Sequence, residues 1–102
     1  MELEISDDYD EDEVRLFERI VDHLKTDHGH THEKSIALVN SYFRKFTNEE
    51  FCHIHGIPAQ NIDFFCHIES VGMADRVHYY EALFNTPNED EFVQWQRRFR
   101  SA

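Results

Sequence analysis

The chain has 102 residues, of which 40% are hydrophobic and 14% aromatic, enough for one core without disulfides and for one domain at most. Ten Lys and Arg against 21 Asp and Glu give a net charge of −11, which argues against binding nucleic acid or an anionic membrane through a general positive surface. No apolar run approaches the roughly 18 residues of a membrane span, the acidic start is unlike a signal peptide, and two Cys make no disulfide framework, so the cytoplasm is the expected compartment.

The charge is unevenly placed. Glu2, Glu4, Asp7, Asp8, Asp10, Glu11, Asp12 and Glu13 are eight acids in the first 13 residues, with no base among them. The rest of the chain holds 13 acids and 10 bases. The sequence therefore divides into an acidic leader, residues 1–13, expected to be solvated and partly flexible, and a mildly acidic body, residues 14–102. The leader's last acids suit the positive end of a helix. Its density of charge also suits a contact with a basic partner, or a mimic of a polyanion.

Val14, Phe17, Ile20, Val21 and Leu24 recur at helical spacing and predict a helix from about Asp10 to Thr26, capped by Asp8 or Asp10 and stopped near Gly29. Thr31 caps a second helix, with Ile36, Leu38, Val39, Tyr42, Phe43 and Phe46 as its stripe and Arg44 and Lys45 in its last turn. Thr47-Asn48-Glu49-Glu50 reads as a capping box with Thr47 as the cap, opening a short helix that ends before Gly56 and Pro58. Asn61 or Asp63 then starts a short turn through Phe64-Phe65-Cys66-His67, an apolar run that fits strand as well as helix. After Gly72, the residues Met73, Val77, Tyr80 and Phe84 predict a helix ending at Asn85. Thr86-Pro87-Asn88-Glu89 combines a cap, a proline at the first helical position and a capping-box Glu. Phe92, Trp95, Gln96 and Phe99 form the stripe of the last helix, which has acids at its start and arginines at its end. The expected fold is all-α: a single-domain bundle of four main helices with one or two short ones.

Eight His make the chain histidine-rich. His28, His30 and His32 alternate in the first connection, where they are expected to be solvated and to titrate near neutral pH. Phe51-Cys52-His53-Ile54 recurs as Phe65-Cys66-His67-Ile68. A zinc site from Cys52, His55, Cys66 and His67 is the alternative reading of these segments. Against it, neither Cys lies in a CxxC knuckle, Cys66 and His67 point apart on a helix, and the flanking Phe residues suit core packing. No nucleophile elbow and no phosphate-binding glycine loop is present, so no catalytic residue is assigned.

The stretch from Gly72 to Tyr80 is the richest in chemistry. Arg76 and Tyr80 share one helix face, Asp75 and Tyr79 another, with His78 between them. These residues can form a core helix whose polar atoms find buried partners. Alternatively Arg76, His78, Tyr79 and Tyr80 form an exposed patch of the composition favoured at binding hot spots.

In length, acidity, helical patterning and lack of a catalytic signature, the chain is similar to small bacterial immunity proteins. The resemblance implies a non-enzymatic, antitoxin-like protein that binds and inhibits a cognate toxin over a basic cleft, without a cofactor. Asp7, Asp8, Asp10, Glu11, Asp12 and Glu13 are the expected steering charges, and Arg76, His78, Tyr79 and Tyr80 the expected anchors. The alternatives are the zinc-binding protein described above and a helical adaptor or homo-oligomer.

Overall fold

Side chains that can bond a free amide decide where each helix begins. Asp10 Oδ1 accepts from the Glu13 amide at 2.9 Å while Glu13 Oε1 accepts from the Asp10 amide at 3.1 Å, a reciprocal box that opens α1, Glu11–Thr26. Thr31 accepts from the Lys34 amide and opens α2, His32–Phe46. The computed structural model describes residues 2–4 and 9–101. Among them the order continues with α3, Glu49–Ile54, then α4, Ile62–Val77, a π-helical turn His78–Ala82, and α5, Glu89–Ser101. No strand occurs among the described residues, and the fold is all-α. No helix among them is long and apolar enough to cross a membrane.

Two expected caps are displaced. Thr47 ends α2 instead of starting α3, and its hydroxyl donates back to the Phe43 carbonyl at 2.6 Å. Asn48 is the cap of α3, accepting from the Phe51 amide at 2.9 Å. In the same way Asn88, and not Thr86, accepts from the Glu91 amide at 3.1 Å and starts α5, which leaves Pro87 outside the helix. The carboxamide of Asn caps as well as a hydroxyl, so a Thr-x-x-Glu pattern beside an Asn does not identify the cap. Asn88→Ala should therefore lower stability in urea denaturation by about 1 kcal/mol. Thr86→Ala, exposed in the preceding loop, should be silent.

α4 joins segments that the sequence divides. Asn61 caps it, and Phe64 to His67 are helical. The run is bent at Glu69, whose backbone sits at φ 70° and ψ 171°, a region costly for any residue with a side chain. Gly72 lies close against the bend, where a Cβ would come within 2.7 Å of Ile68 Cγ2.

The core forms where α1 lies against both α2 and α4. Phe17, Ile20, Val21 and Leu24 are all buried. The Phe17 ring meets Phe43 of α2 at 5.8 Å and Phe65 of α4 at 5.6 Å, both edge-on, as aromatic quadrupoles prefer. Parts of the leader also touch the body, while Asp10, Glu11 and Asp12 stay exposed. The Glu4 amide donates to Asn40 Oδ1, Asn40 Nδ2 donates to the Glu2 carbonyl, and Tyr9 packs on Phe17 and Phe43. Asn40, on α2, supplies the partners that an irregular chain lacks within itself.

Candidate functional site

The expected patch of Arg76, His78, Tyr79 and Tyr80 is not an exposed surface. Arg76 is 7% exposed, and Tyr79 and Tyr80 are 6% exposed. The Arg76 guanidinium lies over the Phe92 ring at 4.5 Å and binds Glu89 with both terminal nitrogens, at 2.6 and 2.7 Å. Its Nε is the one buried side-chain nitrogen or oxygen among the described residues without a hydrogen-bond partner. Tyr80 donates to the Asn88 carbonyl at 3.2 Å, and burial, with Glu89 nearby, pushes its phenol up to about 12. These groups fasten the start of α5 to α4 and to the π-helical turn, and their burial gives them to packing.

The fourth member of that set, His78, belongs to a different construction. Asp75, 0% exposed, accepts from His28 Nε2 at 2.8 Å, from Gln96 Nε2 at 3.0 Å, and from Arg100 Nη2 and Nε at 2.6 and 3.0 Å. Burial opposes the charge of Asp75, but these donors outweigh it and hold the carboxyl at about 2. The His28 side chain is 1% exposed, so the loop histidine expected in solvent is inside the fold. Its ring stacks on His78 at 4.1 Å and on Phe99 at 4.9 Å. His78 Nδ1 and His30 Nε2 are 2.8 Å apart, and one must donate while the other accepts. Burial, then His28 and His30, push His78 down to about 4. Burial, then His28 and Lys34, lower His30 as well. His32 alone of the three alternating histidines is exposed. Local turn geometry delivers the loop: Gly29 takes φ 73° and the His30 amide donates to the Leu24 carbonyl.

A second feature lies where the π-helical turn ends. The turn is pinned from α2, where Lys45 Nζ lies 3.2 Å from the buried Glu81 carboxylate and Ser41 donates to the same oxygen. A π turn closes its hydrogen bonds at i+5, as the Leu83 amide does on the His78 carbonyl at 3.0 Å. Phe84, four residues after Tyr80, therefore leaves the apolar stripe that the spacing placed it on. It is 87% exposed at φ 57°, beside Leu83 at 45%. Asn85 Nδ2 fixes the following loop on the Tyr79 carbonyl. An apolar cleft of about 490 Å³ includes Phe46, Ile57, Pro58, Phe64, Tyr80 and Pro87 in its lining.

The acids of the leader fall in two groups. Asp10, Glu11 and Asp12 are exposed at the start of α1 and Glu13 is half-buried, whereas Asp7 and Asp8 lie outside the described residues. The alternative zinc ligands are not gathered. Cys52 is buried and its thiol donates to the Phe46 carbonyl at 3.4 Å, while Cys66, His55 and His67 are exposed. The two Phe-Cys-His-Ile segments face differently: Cys52 is buried in the first, Phe65 in the second. No three His, Cys, Asp or Glu among the described residues are grouped as metal ligands.

No protein-family model matches the chain, and no curated protein or solved structure matches it.

Proposed function

We propose that the chain is a non-enzymatic protein-binding domain, an immunity- or antitoxin-like inhibitor of a partner with a basic surface. One observation carries the reading: Phe84, an aromatic ring 87% exposed on a backbone at φ 57°. A left-handed conformation costs a residue with a Cβ about 1–2 kcal/mol, and such strain concentrates at functional positions. An apolar ring held out at that cost suits an anchor for a partner's pocket, and aromatic anchors dominate binding energy. Exposed Asp10, Glu11 and Asp12 and the net charge of −11 suit a basic partner by steering the encounter. The anchors expected from the sequence, Arg76, Tyr79 and Tyr80, give way in this reading to Leu83 and Phe84.

Phe84→Gly separates the two roles of that residue. It should raise folding stability by about 1 kcal/mol, because glycine accepts the conformation freely. It should also weaken binding by about 2 kcal/mol, roughly thirtyfold, mostly through faster dissociation. The measurement is capture of the partner by the intact chain, followed by binding kinetics of both forms. Replacing Asp10 and Asp12 with Asn and Glu11 with Gln keeps a cap on α1 and should slow association at 0.1 M salt. The loss should shrink at 1 M, where the Debye length is about 3 Å. Equal dissociation rates for the intact chain and Phe84→Gly would remove the basis of the reading.

A further inference from the structure

We propose that the His30–His78 pair is a proton-operated latch that holds α5 on the body of the fold and releases it when both rings carry a charge. The inference is independent of the partner reading and rests on the way α5 is attached. Its first half is fastened by Phe92 and by the Glu89–Arg76 pair. Its second half depends on the histidine cluster: Gln96 and Arg100 bind Asp75, while Trp95 and Phe99 lie against the rings of His28 and His78. The rings hold this arrangement only while the N···N contact of 2.8 Å contains a single hydrogen. With both rings protonated, two N–H groups face each other and the bond is lost.

Beyond the solvent that reaches these half-buried rings, the protein offers no free group to balance the added charge. The cationic or proton-binding groups acting on the pair are His28 from the first connection and Lys34 from α2; Arg100 of α5 is one step away on Asp75 and Asp27, and His23 of α1 on Asp27. The anions are Asp75 of α4 and Asp27 at the end of α1. Asp75 already accepts four hydrogen bonds and Asp27 is shared between His23 and Arg100. A second imidazolium therefore enters a cluster without a free anion.

The sign follows from the direction of the shifts. His78 is held at about 4 when docked and returns toward 6.5 when released. The docked form is then fully favoured above pH 6.5, and loses its advantage as pH falls from 6.5 toward about 4. Asp75, held at about 2 in the docked form, stays ionised through this window and does not itself produce the response.

Hydrogen exchange of the full chain, read by mass spectrometry and corrected for the intrinsic effect of pH, tests the latch. Between pH 6.5 and 4.5 the opening constant of amides in residues 89–101 should rise by up to about tenfold per pH unit for each proton taken up, with α1 and α2 remaining slower to exchange. His78→Phe keeps a flat ring against His28 and carries no proton; it should flatten that response, as should His30→Gln. An NMR titration of the histidine rings in the unmodified chain needs no variant, and should find His30 and His78 titrating below 6.5. Opening of α5 that ignores pH, the same response in both variants, exchange of α1 in step with α5, or a His78 ring titrating at 6.5 or above would each overturn the proposal.

Discussion

Asp75→Ala is expected to lower folding stability by about 3–5 kcal/mol, the range for breaking a buried charge network from one side. The reason lies in the partners left behind. His28 is enclosed, with 1% of its side chain exposed, and would keep an N–H with no acceptor. The Gln96 carboxamide loses the acceptor of its Nε2. Arg100, 37% exposed, can turn to Asp27 and water, which limits the loss. Asp75→Asn keeps the shape and an acceptor oxygen but turns an amide donor toward donors, and should fall between. The carboxyl titrates at about 2 against its ordinary 3.8, so its contribution is complete above pH 3.8 and is lost only between 3.8 and about 2. Urea denaturation should accordingly find a deficit for Asp75→Ala throughout pH 4.5–7.5. A deficit below about 1 kcal/mol would class the network with surface ion pairs.

Phe65→Ala should be as damaging, at about 3–5 kcal/mol. Phe65 is 1% exposed and its ring meets Phe17 at 5.6 Å, Phe43 at 6.0 Å and Tyr42 at 6.3 Å, so one side chain closes the junction of α1, α2 and α4. The cavity left by truncation cannot collapse easily, because each neighbour is itself fixed on a helix. Phe64→Ala is the control. Phe64 is half-buried and borders the apolar cleft, and its loss should be clearly smaller in the same denaturation series.

The helices with a strict period were legible in the sequence, since periodicity is a local property. Of the stripe Val14, Phe17, Ile20, Val21, Leu24 the last four are buried and Val14 is half-buried, and α2 begins at the expected cap. Boundaries failed where two adjacent polar residues could each cap the same helix, as at Thr47 and Asn48. α4 failed differently. Its bend at Glu69 changes which face is apolar, so the spacing across residues 62–77 fits no single stripe. The π-helical turn misled the reading of Phe84, since one added residue per turn moves a side chain from core to solvent. The histidine cluster was beyond local reading altogether. His28 and Asp75 are 47 positions apart, Asp75 and Arg100 are 25 apart, and no spacing rule links them. Asp75 and His78 did stand in the stretch singled out for its chemistry, but their partners came from both ends of the chain.

The position of α1 between α2 and α4 also fixes an order of events during synthesis. α1 and α2 are neighbours in sequence, and their pairing is a cheap, short loop closure. In that hairpin only Tyr9 lies on Phe17 and Phe43 until Phe65 arrives, and the stripe of α1 is uncovered on one side until Val77 has emerged. At about 5–20 residues per second, the interval between the end of α2 at residue 46 and the end of α4 at residue 77 is roughly 2–6 s. For that time a nascent aromatic surface faces the cell, and it is then that chaperone capture or misassociation competes with folding. The acids at the start of α1 travel with this surface, and their mutual repulsion keeps neighbouring nascent chains apart.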